Sequence, residues 1–591
     1  MARRMLTLRQ AALAALPASA LAALSAGPAL AQTASPPALP PALPRLPSLQ
    51  TSPLPHIMPT PAPNLGQGLP SLPQGGAEAQ LPPVSIPVRS ASIIGATAFP
   101  PAKLNKIIAG LAGQTVPLAK LETDRRALVD LYRGHGYILS TVSLDVDAAG
   151  NVRFVVTEGY IAAVKLSKDI GPAGTMVLGF LQHLTDARPL SEAALERWLL
   201  LAQQVPGVSV HAVLQSDTGN PGALTLVAEV AKQTVSGLLT ADNRGFDETG
   251  PAEGLLVLDL NSITSHGDQT EFSFYHTSGN TDNFGQASES FFLGTSGLRL
   301  KLYGGSGRAN PSGVLGSVGY QSQVNVFGGQ LSYPVILRRN QALTANLRLD
   351  AEETSISTAG IVTSTDSLRV ARLGGQYAFQ DLWLGNSRNA LNVLNFQGSQ
   401  GLPLLGSSAD GRTAPPGGRA SAKFDFWKLN GSISRVQTLF SPWSTADVAL
   451  RTEVGGQYTP AVLPSAEEFY LGGTRFTRGY YSGEVVGDKA AYATAELQLN
   501  TGADFNLFHH DFELGAQFYG FYDWGETWSN LPTDLNHRIA STGGGVRLGL
   551  TRNIELDGEV THRLVRQLSP ASTNVAPLSE TVIYWGVTAR Y

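Results

Sequence analysis

The chain has 591 residues and a formal net charge of −4, so no basic excess points to nucleic acid. Charged residues make up only 15% of it, against the roughly 25% usual in soluble domains. There is no cysteine, which excludes disulfides, thiolate chemistry and Cys-based zinc sites together. The 63 glycines, 22 phenylalanines and 17 tyrosines suit a sheet-rich protein whose exterior meets something apolar.

The N-terminus reads as an export signal. Arg3, Arg4 and Arg9 form a positive region, residues 11–24 an apolar one, and Ala29-Leu30-Ala31 a small-x-small cleavage site, which predicts a signal peptide over 1–31. Past residue 31 no apolar run of about 18 residues appears, so no transmembrane helix is expected. A membrane-spanning chain must then close a barrel, because only closure satisfies every backbone group in lipid. Residues 32–87 hold 16 of the 37 prolines and predict an extended, polyproline-like linker without a core, a passive tether in preference to a spacer or a peptide that visits the pore.

Residues 88–159 and 160–232 read as two α+β modules of the same order. In the first, Val88–Ile94 suggests a strand, Pro100-Pro101 opens a short helix, and Leu118, Leu121, Leu128, Leu131 and Tyr132 mark one face of a helix over 117–133. Gly134 and Gly136 stop it, and strands follow at Tyr137–Val146 and Val152–Thr157. In the second, a strand at 160–166 precedes a helix near 173–184. Ser191 then caps a helix that buries Leu195, Trp198, Leu199 and Ala202. Strands Val208–Leu214 and Ala223–Val230 close the module.

From 233 to 591 the pattern alternates. Leu298, Leu300 and Leu302 interleave with Arg299, Lys301 and Tyr303; Leu343, Ala345, Leu347 and Leu349 interleave with Thr344, Asn346, Arg348 and Asp350. Period two puts one set on each face of a sheet. Apolar rows facing lipid and charged rows facing a wet lumen fit a transmembrane antiparallel β-barrel, and roughly 360 residues allow about 16 strands. The last residues agree: Ile583, Trp585, Val587, Ala589 and Tyr591 share a face, and the chain ends on an aromatic. Trp585, Val587 and Tyr591 are therefore a candidate C-terminal insertion signal.

Two further stretches stand out. Leu471-Gly472-Gly473-Thr474-Arg475-Phe476-Thr477-Arg478-Gly479-Tyr480 is loop-like, with glycines bracketing an arginine and an aromatic. In Phe521-Tyr522-Asp523-Trp524-Gly525, counting back by twos puts Asp523 with Phe521, Tyr519 and Gln517, opposite the more apolar Tyr522, Gly520 and Phe518. Parity thus turns the Asp523 carboxylate to the lumen.

Other chemistry finds little support. No Gly-x-x-x-x-Gly-Lys-Ser/Thr phosphate loop and no His-Glu-x-x-His occurs. His509-His510-Asp511 is a histidine cluster, but adjacent strand residues point oppositely and chelate poorly, so a turn is the better reading. Neither catalytic nor cofactor nor metal residues are assigned.

The repeated β-α-α-β-β order, with Gly134-x-Gly136-Tyr137 and Val156-Thr157-Glu158-Gly159, resembles the polypeptide-transport-associated (POTRA) domain. With Arg478-Gly479-Tyr480 as pore-loop motif and Phe521, Asp523 and Gly525 as lumen-wall motif, residues 88–591 resemble the outer-membrane transporters of two-partner secretion, the ShlB/FhaC/HecB type. Gly487-Asp488, Glu496-Leu497 and Asp242-Asn243-x-Gly245 continue that resemblance. It implies a barrel in the cell outer membrane with POTRA modules in the periplasm. The resemblance further implies a long loop folded back into the pore, where Gly479 permits a tight turn and Arg478 is expected to offer its planar fork to Asp523, tethering the tip to the barrel wall. It also implies a haemolysin- or adhesin-like exoprotein bound through those modules and secreted unfolded through the lumen without ATP. Other implied partners are outer-membrane lipid and, during biogenesis, the barrel-assembly machinery. Family members often begin with a helix that plugs the pore; the Pro-rich start here argues against one. The alternatives are an assembly factor of the BamA type, an outer-membrane enzyme and a soluble adhesin.

Overall fold

The computed structural model of the chain describes residues 49–59, 65, 83–217, 219–411, 417–507, 510–568 and 576–591, with backbone alone over 503–507 and 510–513. The expected signal peptide, most of the Pro-rich stretch and His509 lie outside them, as do the side chains of His510 and Asp511.

The first α+β module begins at Ser85, inside the stretch read as linker, with a short strand Ser85–Val88 paired to Gln114–Pro117. Its main sheet has Asn151–Thr157 in the centre, parallel to Ser90–Ile94 and antiparallel to Thr141–Val146. The helix Leu118–Gly134 lays Leu121, Leu128 and Tyr132 on that sheet. The strand expected from Tyr137 starts only at Thr141, because Tyr137 turns inward beside Phe99 and Tyr132 in an edge-to-face aromatic cluster. Glu158 fastens this corner: its carboxylate accepts from the Thr97 and Ala98 amides at 2.7 and 2.8 Å and from the Tyr132 hydroxyl at 2.6 Å. Burial works against its charge, but the hydrogen bonds from Thr97, Tyr132 and Ala98 outweigh it and hold the carboxyl below its usual range.

The second module repeats the scheme, with Tyr160–Leu166 and Val208–Ser216 flanking Ala223–Lys232 under helices Pro172–Gln182 and Glu192–Gln203. Ser191 caps the latter helix, accepting from the Ala194 amide at 3.3 Å. Gly136, at φ +81°, joins the modules by accepting the Glu192 amide at 2.7 Å. The second module then docks on the barrel's near rim. Arg197 donates to the Pro334 carbonyl at 3.0 Å, Glu196 pairs with Arg339 at 3.3 Å, and Phe180 meets Phe292 edge-on at 5.1 Å.

Sixteen antiparallel strands among the described residues close the barrel. They are β1 Val235–Asp242, β2 Glu253–Asn261, β3 Gln269–Thr277, β4 Asp282–Phe292, β5 Arg299–Ala309 and β6 Gln321–Leu337. Next come β7 Gln341–Thr358, β8 Ile361–Asp381, β9 Ala390–Gly401, β10 Trp427–Trp443 and β11 Ala446–Tyr458. The last are β12 Lys489–Leu507, β13 His510–Trp528, β14 His537–Gly549, β15 Ile554–Arg563 and β16 Thr581–Arg590. Each pairs with its neighbour, and β16 closes on β1 over five residue pairs, Gly586 with Asp242 through Arg590 with Leu238. Tyr591 adds two backbone bonds to Gly237 at 2.9 and 3.0 Å. Beyond the pairing, the Asn243 side chain bridges to β16, accepting from the Trp585 amide at 2.8 Å and donating to the Ile583 carbonyl at 3.1 Å.

The alternation lands as expected. Leu302, Leu347, Leu349, Phe518, Tyr522, Ile583, Trp585 and Val587 are exposed on the outer wall. Arg299, Lys301, Arg348, Asp350, Glu496 and Asp523 instead make ion pairs or hydrogen bonds across the inner wall. No described helix is long and apolar enough to cross a membrane; the strands cross it, and closure leaves no unpaired edge in lipid.

Candidate functional site

The connection between β11 and β12 runs from Thr459 to Asp488 and folds back into the lumen instead of standing clear of the far rim. Arg478 fixes it there. Its backbone amide lies 2.8 Å from Asp523 Oδ2, its Nε 3.0 Å from the same oxygen, and its Nη2 3.0 Å from Oδ1. The expected pair is thus a three-bond clamp. Glu496 on β12 takes Nη1, and Thr494 lies 3.1 Å from Nη2. Phe521 lies under the guanidinium, 3.7 Å from its carbon. Burial would favour loss of the Arg478 proton, but the hydrogen bonds and charge of Asp523 and the charge of Glu496 reverse this and hold it charged.

The backbone here tolerates few residues. Thr477 has φ +53° and Gly479 φ +104°, regions that cost a side-chain-bearing residue strain. A Cβ on Gly479 would stand 2.5 Å from Thr561 Cγ2 and 3.0 Å from Ser541 Cβ. The Arg478 carbonyl is taken by the Ser541 hydroxyl and the Gly479 carbonyl by the Arg563 guanidinium. Tyr480 is buried, its hydroxyl 2.7 Å from the carbonyls of Ala540 and Val565. Gly525 lets the loop lie flat on the wall: a Cβ there would stand 2.6 Å from Leu471 Cδ1. Structure therefore brings together Arg478, Gly479, Tyr480, Phe521, Asp523 and Gly525. Trp585, Val587 and Tyr591 lie elsewhere, on the lipid-facing side of the closing seam.

Sequence reasoning missed several partners. Glu496 carries a second anion to Arg478 and passes the charge on to Arg547 at 2.9 Å. Its parity with Gln498 and Asn500 on β12 is the signal that could have found it. At the far rim Arg419 gathers Asp488 at 2.6 Å, Asp534 at 2.9 Å and Glu468 at 3.1 Å, tying three loops together. Arg244, in the Asp242-Asn243-x-Gly245 stretch, pairs with Glu559 at 3.1 Å and stacks on Tyr584. Arg419 and Arg244 sit in loops, where no period announces them.

The Pro-rich stretch brings a correction. Residues 49–59 are no coreless linker: they lie inside the lumen, and Leu54–Ile57 forms a one-turn helix with prolines at its start. Leu54 and Ile57 bury against Leu255, Val257, Phe284 and Val326. The inward row of β2 to β6 is apolar at this height, which gives a short apolar segment a dry seat despite its prolines. Ser322 and Thr354 donate to the Leu49 and Gln50 carbonyls at 2.6 and 3.1 Å. At the other end the His56 ring meets Tyr470 of the loop, Nε2 lying 2.6 Å from its hydroxyl. Arg475 donates to the Met58 carbonyl at 3.2 Å. Burial, aided by Arg475, pushes the His56 pKa down to about 3.

Comparison with known proteins follows the same lines. The model of the family described as haemolysin secretion/activation protein ShlB/FhaC/HecB matches residues 223–548, and that of the ShlB-type POTRA domain matches residues 86–159. The outer membrane transporter CdiB of Escherichia coli is 22% identical over 432 residues, spanning 69% of this chain and 68% of the relative. Among solved structures, CdiB from Escherichia coli superposes with a TM-score of 0.68 at 17% identity, over 88% of this chain and 93% of that one. CdiB from Acinetobacter baumannii gives 0.58 at 17%, over 87% and 91%; at such identity these two likenesses speak to fold. The barrel accordingly sits in the outer membrane with its POTRA modules in the periplasm. The chain belongs to the haemolysin secretion/activation protein family ShlB/FhaC/HecB, outer-membrane transporters of two-partner secretion.

Proposed function

We propose that the chain captures one exoprotein in the periplasm through its two modules and passes it, unfolded, through the barrel lumen to the cell surface. In this reading residues 1–31 are the export signal, 32–87 a Pro-rich stretch whose residues 49–59 occupy the lumen and whose last residues open the first module, 88–159 and 160–232 the POTRA domains and 233–591 the barrel. The loop tip Arg478-Gly479-Tyr480, held by Phe521, Asp523 and Gly525, is the gate of the conduit. The segment 49–59 stands in the same lumen, so both have to move before a polypeptide passes. The observation that carries the proposal is the loop clamped inside the barrel by Arg478 and Asp523, 3.0 Å apart. A loop that only braced the rim would have no need to occupy the lumen, whereas a gate does.

The exoprotein is of the haemolysin or adhesin kind, and its folding outside the cell draws it outward, so the chain needs no enzymatic activity or cofactor. Trp585, Val587 and Tyr591 present the last strand to the assembly machinery and then to lipid. Cross-linking the modules in cells tests the function. A secretion transporter traps one large secreted polypeptide, which accumulates in the periplasm when the chain is deleted. Several barrel precursors in the cross-linked fraction, with secretion intact, would overturn the proposal.

A further inference from the structure

The loop is tied to the wall a second time, with the charges reversed. Glu467, only 3% exposed, offers its carboxylate to Arg372 on β8, 2.5 and 3.1 Å from Nη2 and Nη1, and to Lys428 on β10, 2.8 Å from Nζ. Lys428 also donates to the Glu467 carbonyl at 2.7 Å. Arg372 is braced in turn by Asp350 on β7, 2.7 Å from Nε, and Arg348 lies 2.8 Å from the same carboxylate. Where Arg478 brings a loop cation to wall anions, Glu467 brings a loop anion to wall cations several strands away. The loop is therefore held like a crossbar, and releasing one end leaves the other.

A further carboxylate stands beside this second tie. Glu352 lies two residues along β7 from Asp350, on the same face, and its Oε1 is buried without a hydrogen bond among the described residues. It lines one cavity of about 420 Å³ together with Arg372, Lys428 and Glu467. Three cations, Arg348, Arg372 and Lys428, face three carboxylates, Asp350, Glu352 and Glu467. When the loop leaves, one negative charge leaves with it, and two cations lose a buried partner, ordinarily a heavy penalty.

We propose that Glu467 is a second positioning residue of the gate loop, and that Glu352 is the wall carboxylate that takes over Arg372 and Lys428 when the loop swings out. This rests on the reading of the loop as a gate. It makes the gate two-state, because the wall cations exchange one carboxylate for another and are never left bare.

The two glutamates then have opposite effects, which loss of packing would not produce. The test uses the full-length chain in planar bilayers with KCl as the only permeant. A spin label on Thr474→Cys reports loop motion, in a chain otherwise free of cysteine. Glu467→Gln is expected to raise the open time by roughly tenfold or more and to mobilise the label, and Glu467→Asp to restore much of the closed behaviour. Glu352→Gln is expected to shorten the open time below wild type and leave the label immobile. If Glu467→Gln folds poorly, Lys428→Met is read in its place, with the same direction expected. An unchanged open time and label in Glu467→Gln, or in that replacement, overturns the anchor. A Glu352→Gln channel that opens as Glu467→Gln does overturns the exchange. Neither readout needs an exoprotein, so failure of the transport reading would show separately, as wild type that conducts normally but secretes nothing.

Discussion

Replacing Asp523 by Ala removes the acceptor of three Arg478 hydrogen bonds at 2.8 to 3.0 Å. Both residues are buried, Asp523 at 1% and Arg478 at 8% exposure. Deleting one partner of such a pair costs about 3–5 kcal/mol, because the other charge stays buried and unmatched. Glu496 remains on Nη1 and lumen water can reach the vacated oxygen sites, so the cost falls below that range, to about 2–3 kcal/mol. That shifts the balance between docked and released loop by roughly 30- to 150-fold. Single-channel recording should show this as longer open times. The barrel's thermal unfolding should hardly move, since the strand ladders around Asp523 are untouched. Asp523→Asn should do less, as it keeps one acceptor oxygen. Channels that stay closed in Asp523→Ala, with a loop label as immobile as in wild type, would refute the clamp.

Acidification should loosen segment 49–59. The docked His56 titrates near 3 and the free imidazole near 6.5, so docking is at full strength above about 6.5 and weakens by about 1.4 kcal/mol per unit as pH falls toward 3. Protease protection of the segment at pH 5.5 against pH 7.5 checks this, and His56→Asn should abolish the difference. Gly479→Ala should release the loop even with Arg478 and Asp523 intact, for steric reasons alone, which the same conductance assay reads. Glu158→Gln should weaken the first module by about 1–3 kcal/mol, since an amide cannot accept all the bonds the carboxylate does; hydrogen exchange over 83–159 would show it. Because the folded pKa of Glu158 is depressed, its share of stability is present above the unfolded value and lost as pH falls through the folded one. Leu347→Arg, on the lipid face, should cut barrel insertion at a cost of about 2–4 kcal/mol near the membrane midplane, and Asn346→Arg, on the lumen face, should not.

What could be read from sequence follows from period. Two-residue alternation told inside from outside at Arg299, Lys301, Arg348 and Asp523 before any fold was known, and the 3.6-residue spacing of Leu121, Leu128 and Tyr132 gave the helix at Leu118–Gly134. Arg478 and Asp523 could be matched because one lies in a glycine-bracketed loop and the other at a lumen parity. The rest depends on closure. Which strands stand beside Glu467 or Arg419 is decided by barrel register and loop length, neither of which is written locally. Residues 49–59 were misread for a related reason: proline density speaks for an extended chain in water, but a lumen patch of Leu255, Val257 and Val326 repays the folding of Leu54–Ile57. The strand Ser85–Val88 was missed because four residues carry too little alternation to be heard.

The central claim is that the exoprotein travels inside the barrel. A photo-cross-linking residue placed at lumen-facing Gln376 or Asn395, or at lipid-facing Leu373, in a strain whose exoprotein is stalled by a folded C-terminal fusion, tests it directly. Adducts at Gln376 and Asn395 but not at Leu373 are predicted. Adducts at Leu373 alone, or none at any position while the unstalled exoprotein is still secreted, would contradict it.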